Sequence, residues 1–181
     1  KLIFAFILGG LQGVLGWYMV KSALVDRPDV SQYRLAAHLS LALVILGAMV
    51  WVGLGILSPE RLAAPPERVP GQGPEWGPGR LRCWSWGLTA LIFVTALSGA
   101  FVAGLDAGFV YNTFPLMDGA WVPDGLFELA PGYRNFFENI TTVQFGHRIL
   151  ATTVFAAEMV FWWRARRAGL APGQRLALNV L

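Results

Sequence analysis

The chain has 181 residues, of which 55% are hydrophobic and 14% are charged, and its mean hydropathy is +0.52. This composition excludes an ordinary soluble domain and is typical of an integral membrane protein in a lipid bilayer. The formal net charge is +3, but the sequence has no basic groove or aromatic platform, so we expect no nucleic-acid partner. The single cysteine, Cys83, excludes an intrachain disulfide.

Four apolar segments are long enough to cross a hydrocarbon core of about 30 Å as helices. They cover residues 2–20, 35–57, 84–105 and 142–163. A hydropathy scan ranks the fourth segment lowest because it contains Gln144, His147, Arg148 and Glu158. The predicted fold is an all-α polytopic membrane helix bundle.

The distribution of arginine predicts the orientation of these helices. Arginines crowd residues 58–83 and the segment after the fourth span, whereas the long loop at 106–141 contains several acidic side chains and one arginine. We therefore expect that loop to face outward from a bacterial inner membrane. Residues 59–83 are rich in Pro and Gly and are interpreted as a cytoplasmic linker between two helical halves, residues 1–58 and 84–181.

The two halves loosely repeat each other, since each has a helix with small residues, an outer loop and a helix that carries histidine. Both ends of the chain lie inside or beside helix-like sequence, and residues 173–181 resemble the start of a further helix. We therefore expect the chain to be the middle of a longer protein.

The only histidines, His38 and His147, each lie about one turn inside an apolar segment, near the outer side. An imidazole in a membrane is costly unless it binds something, so both are candidate ligand-binding groups. Arg34 lies one turn from His38, and Arg148 adjoins His147, which would allow guanidinium groups to pair with carboxylates such as propionates. The structural alternative is that each imidazole bonds a neighbouring helix and each arginine reaches the headgroups. Two such pairs in repeated hairpins favour haem.

Three further polar residues are candidate supports of this site. Gln144 shares a helical face with His147. Glu138 and Asn139 directly precede the fourth span, where we expect them to cap its exposed amides.

Several motifs together identify a family. They are GLQG at 10–13, GWYMVKS at 16–22, YRLAAHL at 33–39, GLDAG at 104–108 and YNTFPLMDG at 111–119, followed by Glu138, Asn139, Gln144, His147 and Arg148. This pattern closely resembles haem A synthase in its proteobacterial and mitochondrial form, and the resemblance covers nearly the whole chain.

The resemblance implies eight transmembrane helices in two halves, each with a pair of histidines around a haem. This chain looks like the third to sixth helices. His38 and His147 would then be axial iron ligands of different haems, with haem O as the substrate on the His38 side and haem b as the cofactor on the His147 side. The partner histidines and a catalytic glutamate of the first outer loop would lie outside the chain, so we expect the fragment alone to be inactive, and its catalytic residues stay unassigned.

The implied activity is that of an oxidoreductase acting on a CH3 group, which converts the C8 methyl of haem O to the formyl of haem A through successive hydroxylations and loss of water. The resemblance implies haem O synthase and cytochrome oxidase assembly factors as partners. A homo-oligomer is a further candidate, and the sequence leaves the oligomeric state open. The alternative is a membrane b-type electron-transfer cytochrome, which would bind haem without modifying it. A small-solute transporter is disfavoured because the helices lack matching Gly/Pro interruptions.

Overall fold

A computed structural model describes residues 2–26, 30–57, 78–168 and 178 of the chain. The helices within these residues are α1 (Leu2–Asp26), α2 (Gln32–Leu57), α3 (Pro78–Gly104), the short α4 (Asn135–Glu138) and α5 (Ile140–Arg167). The described part of the chain contains no strand, which confirms the all-α class. Residues 58–77, most of the predicted linker, lie outside the described residues, and so do all of residues 169–181 except Leu178.

The third helix begins earlier than the sequence predicts. Its first residue is Pro78 rather than residue 84, so the end of the predicted linker is helical. Proline is favoured at the first position of a helix because its fixed φ suits the helix and its missing N–H is not needed there. This first part of the helix contains charged side chains, so a search for long apolar runs does not detect it.

The long helices pack in chain order. α1 contacts α2, α2 contacts α3, and α3 contacts α5. Small side chains such as Ala36 and Ala100 are buried, whereas Phe6 and Leu57 are 84% and 81% exposed. Small residues at the contacts let helices approach closely, and the exposed large apolar side chains suit a lipid environment. The arrangement is that of a membrane bundle.

Three of the described helices are long and apolar enough to span a membrane: Ile3–Lys21, Gln32–Leu57 and Arg80–Gly104. These correspond to the first three predicted spans. α5 has 28 residues, which is about 42 Å at a rise of about 1.5 Å per residue. Its polar residues make it less apolar than the other three long helices. Its membrane crossing stays a prediction. The arginines at its C-terminal end, which stack on Trp162 and Trp163, support that prediction.

The two helix pairs, α1–α2 and α3–α5, meet closely where α2 begins and α3 ends, at the ends that the sequence predicts to face outward and that are called the outer ends below. A Cβ atom on Gly104 would lie 2.5 Å from the Cα of Gln32, so only glycine allows this approach. Next to it, the ring of Phe101 contacts the rings of Tyr33 and Phe137 at centroid distances of 5.7 and 5.3 Å. The outer ends of α2 and α3 are therefore held against the outer loop.

The loop between α3 and α5, which the sequence predicts to face outward and which is called the outer loop, is ordered around Asn135, which is wholly buried. Its side-chain Oδ1 accepts from the Leu129 N–H at 2.9 Å, and its Nδ2 donates to the carbonyls of Leu129 and Gly132 at 2.8 and 2.9 Å. Asn139 continues the network by donating to the Gly125 carbonyl at 2.9 Å. These bonds satisfy backbone groups that a loop would otherwise leave unpaired.

Candidate functional site

His38 lies in the second turn of α2 and faces α1. It is six residues beyond the first residue of the helix, which places it about 9 Å along the axis. A Cβ atom on Gly16 would lie 3.2 Å from its Cε1 atom, so the imidazole packs directly on the backbone of α1. We call His38, Gly16 and the nearby Gln12 the N-terminal station.

His147 repeats this arrangement in the second helix pair. It lies in the second turn of α5 and faces α3, where a Cβ atom on Gly99 would lie 3.2 Å from its Cε1 atom. We call His147, Gly99 and Ser98 the C-terminal station. Each imidazole thus belongs to its own helix pair. That the two histidines serve different haems stays a prediction.

The hydrogen bonds of the C-terminal station determine which nitrogen of His147 carries the proton. Ser98 Oγ lies 2.7 Å from His147 Nδ1 and donates to the Thr95 carbonyl at 2.7 Å. Since a hydroxyl has one proton, Ser98 Oγ accepts from Nδ1–H. In the neutral ring, Nε2 then keeps its lone pair, which is the arrangement that metal-binding histidines use.

The N-terminal station is bonded at the opposite nitrogen. Gln12 Nε2 donates to His38 Nε2 at 3.0 Å and to the His38 carbonyl at 3.1 Å. The second bond requires an N–H donor and so fixes the orientation of the amide. His38 Nε2 is therefore the acceptor, and Nδ1 carries the proton. Buried His38 Nδ1 and Gln12 Oε1 have no hydrogen-bond partner within the described residues.

The donor set fits a haem better than a metal ion held by protein ligands alone. The described residues contain no cluster of three or more His, Cys, Asp or Glu side chains. Each station offers a single imidazole within a helix pair, and a single imidazole is a common haem axial ligand. Beside His147 lies a cavity of about 190 Å³ whose lining includes the apolar side chains of Phe101, Val143 and Leu150.

Arg148 contacts the outer loop. Its guanidinium group donates to the carbonyls of Thr113 at 2.6 Å, Leu116 at 3.2 Å and Tyr111 at 2.8 Å. These bonds use three of the five N–H groups of the side chain. In the other half, the guanidinium of Arg34 lies 5.1 Å from the ring centroid of Tyr18. The expected binding of propionates by both arginines stays a prediction.

The three predicted support residues have different contacts. Buried Gln144 donates to the Tyr111 carbonyl at 2.9 Å, so it holds the loop and does not bond the imidazole. Asn139 caps α5, since its Oδ1 accepts from the Thr142 N–H at 3.0 Å, which confirms the expected cap. Glu138 does not cap the helix, so that expectation is wrong for this residue.

Glu138 instead joins the loop to the N-terminal half. It forms a salt bridge with Arg134, and its Oε1 accepts from the Tyr33 hydroxyl at 2.9 Å. The hydrogen bond from Arg134 holds the pKa of the Glu138 carboxyl below its ordinary value, and the bond from Tyr33 lowers it further. The Glu138 carboxylate bonds Tyr33 and Arg134 rather than a helix amide, because Asn139 already caps the start of α5.

Sequence reasoning missed Gln12 and Ser98, the two residues that bond the imidazoles. Gln12 stands one turn before Gly16, and Ser98 directly precedes Gly99, within the small-residue helices noted above. The sequence signal that could have identified Gln12 and Ser98 is a polar residue near a glycine at which two helices pack. It acquires meaning only when the partner helix places a histidine opposite that glycine.

The fold and the two stations define a helical membrane protein with one imidazole station in each of two helix pairs. The chain belongs to the family described as cytochrome oxidase assembly protein, COX15-CtaA, which matches residues 1–181. It is 51% identical over 181 residues to the Heme A synthase of Nitrosospira multiformis, a match that covers 100% of this chain and 48% of that protein. It is 48% identical over 176 residues to the Heme A synthase COX15 of Homo sapiens, with coverage of 94% and 41%.

The chain therefore spans about half the length of the curated relatives it matches. No solved structure matches it. The family assignment confirms the resemblance read from the motifs.

Proposed function

We propose that the whole protein is a haem A synthase, which oxidises the C8 methyl group of haem O to a formyl group and so makes haem A for cytochrome oxidase. The observation that carries the proposal is the repeated station. In each helix pair, one imidazole packs so closely on a glycine of the preceding long helix that an added Cβ atom would lie 3.2 Å from its Cε1 atom. Relatives named Heme A synthase match this chain along its whole length.

In this proposal His38 is an axial ligand of haem O and His147 is an axial ligand of haem b. The haem supplies the redox chemistry when it is bound, and the protein supplies ligation, orientation and exclusion of water. The two helix pairs differ in how a neighbouring side chain bonds the histidine. Ser98 orients the ring of His147 so that Nε2 keeps its lone pair, whereas Gln12 bonds His38 at Nε2 itself.

Arg34 and Arg148 are the proposed partners of the haem propionates. Both lie at the outer ends of their helices, beside the histidines. Arg148 has two N–H groups beyond the three that bond loop carbonyls. It can therefore hold the loop and bond a carboxylate at the same time, which would fix one edge of the haem relative to the loop.

The proposed location is the bacterial inner membrane, with both histidines toward the outer side. The proposed partners are haem O synthase, which would supply the substrate, cytochrome oxidase assembly factors, which would receive the product, and a second copy of the protein. On the side that carries Arg148, Asn135 and Arg148 hold the outer loop in shape.

The test uses the whole protein, purified in detergent from cells that also make haem O. The bound haems are extracted and identified by chromatography and mass. We expect haem A or its hydroxylated intermediate in the wild type and its loss in His38→Ala and in His147→Ala. Ser40→Ala and Thr152→Ala are matched controls, because each hydroxyl bonds only a carbonyl of its own helix.

One outcome would favour the alternative function. If the wild type carries haem b alone while haem O is abundant in the cells, the protein is an electron-transfer cytochrome. If both histidine variants keep the haem content of the controls, neither imidazole is a ligand and the sites are wrongly assigned.

A further inference from the structure

The two stations hold their imidazoles through opposite nitrogens. At the C-terminal station, Ser98 bonds Nδ1 of His147 at 2.7 Å, which leaves Nε2 for a ligand. At the N-terminal station, Gln12 bonds Nε2 of His38 at 3.0 Å. Nε2 is the nitrogen that an imidazole presents to iron when Nδ1 carries the proton. An iron ion and the Gln12 amide therefore compete for the same lone pair of His38.

Corresponding positions of the two helix pairs carry different residues, and the difference in bonding follows them. Gly16 and Gly99 correspond, because each packs on the histidine of its own helix pair. One turn earlier, the corresponding residues are Gln12 and Thr95, and Thr95 Oγ1 donates to the Leu91 carbonyl of its own helix at 2.8 Å. One residue earlier than the glycines, Leu15 corresponds to Ser98. Gln12 bonds its histidine ring, whereas the corresponding Thr95 bonds its own helix. Ser98 bonds its histidine ring, whereas the corresponding Leu15 has no polar atom to do so.

The bond from Gln12 is also an incomplete arrangement. It leaves two buried polar atoms, His38 Nδ1 and Gln12 Oε1, without a partner among the described residues. Burying a polar atom without a hydrogen bond is unfavourable, so this pairing is weaker than a fully satisfied one. The terminal torsion of a glutamine side chain is broad, which makes the amide easy to turn away.

We propose that Gln12 is a positioning residue that occupies the iron-binding nitrogen of His38 between turnovers, so that the N-terminal station exchanges its haem while the C-terminal station retains its haem. The inference rests on the proposed function, since it takes both histidines as haem ligands. It supplies a physical reason for the different fates of two haems. A substrate haem must leave after reaction, and Gln12 promotes this by bonding Nε2 as the iron departs.

The test measures haem release rather than activity. The whole protein is loaded with haem b, and transfer to an excess of apomyoglobin is followed by the change in the Soret band. The His147→Ala background reports on the N-terminal station, and the His38→Ala background reports on the C-terminal station. Gln12→Leu removes the amide, and Gln12→Asn keeps an amide that is one methylene too short to reach Nε2.

We expect both Gln12 variants to slow haem release from the N-terminal station by about fivefold, the equivalent of one ordinary hydrogen bond. Ser98→Ala should have the opposite effect and speed release from the C-terminal station by about tenfold or more, because it removes the acceptor that orients His147. Thr95→Val is the matched control, since it changes the residue that corresponds to Gln12, and we expect no change at either station.

The outcomes separate this inference from the proposed function. If His38→Ala removes a haem but the Gln12 variants release haem at the wild-type rate or faster, the competition between Gln12 and iron is refuted while His38 remains a ligand. If His38→Ala and His147→Ala each retain both haems, neither histidine is a haem ligand, and the proposed function is refuted together with the inference about Gln12. Two variants at Gln12 guard against a folding defect in one of them, and opposite effects of Gln12→Leu and Ser98→Ala would establish the asymmetry.

Discussion

Substitution of Gly99 by alanine tests whether the imidazole of His147 depends on a bare helix backbone. The added methyl carbon would lie 3.2 Å from His147 Cε1 and 3.8 Å from Nδ1. Carbon atoms in favourable contact are about 3.5–4.0 Å apart, so the ring must move by at least about 0.3 Å. Because Ser98 is on the same helix, this movement also strains the 2.7 Å bond between its hydroxyl and Nδ1.

The expected size of the effect follows from the cost of overpacking. An extra methyl in a close-packed site costs about 1–3 kcal/mol, which corresponds to about fivefold to a hundredfold in an equilibrium constant. If His147 binds haem as proposed, the cost would fall on haem affinity at the C-terminal station, because the methyl displaces the imidazole that would hold the haem. We therefore expect Gly99→Ala to weaken haem b binding there by about tenfold or more, while the protein still inserts and folds.

The assay is haem content per protein chain in the purified whole protein, followed by haem transfer to apomyoglobin. Gly87→Ala is the matched control, because it adds the same methyl to α3 at a position with nothing within 4 Å. If Gly99→Ala retains haem as well as Gly87→Ala does, the close contact between glycine and imidazole has no part in holding the ligand, and the repeated station loses its main support.

Three further predictions concern the outer side of the molecule. Gly104→Ala places a methyl 2.5 Å from the backbone of α2, and we expect it to lower the melting temperature in detergent by several degrees, whereas Gly108→Ala, with open space around it, should not. Arg148→Ala removes three bonds to loop carbonyls, so limited proteolysis should cut the outer loop at least about tenfold faster, with Arg148→Lys intermediate; equal rates would show that the loop does not need this side chain. The pKa of Glu138 is held below its ordinary value of 4.5 by the hydrogen bond from Arg134, so this pair should stabilise the fold above about pH 4.5 and lose that contribution as the pH falls through the lowered pKa. Glu138→Gln should flatten the melting temperature between pH 3 and 6, and an unchanged pH profile would contradict the assignment.

The sequence by itself was sufficient to predict the class of fold and to locate one histidine in a long helix of each half. A run of about 20 apolar residues has few alternatives to a membrane helix, because backbone groups in lipid must bond within their own segment. A histidine in such a run is conspicuous for the same energetic reason. The cap at Asn139 was also predictable, since a side-chain cap depends on residues within a few positions of it.

Boundaries and long-range partners were harder to predict. The start of α3 at Pro78 was missed because the first turn of that helix is polar and gives no apolar signal. Glu138 was assigned to a helix cap by its position, but it bonds Arg134 and Tyr33 instead. Tyr33 lies far away in sequence, and only the contact between the two helix pairs brings it near the loop.

The two stations were decided by tertiary structure alone. Whether Gly16 meets His38, and whether Gln12 or Leu15 faces the ring, depends on the rotation of α1 about its axis and its shift along α2. Neither quantity is encoded in a single helix, because both result from the packing of two. Successive residues of a helix differ in direction by about 100°, so Gln12 and Leu15, three residues apart, differ by about 60°, and a rotation of about that size would turn the Gln12 amide away from the ring. The sequence determined that each half carries a histidine in a long helix, and helix packing determined which nitrogen of each histidine a neighbouring side chain bonds.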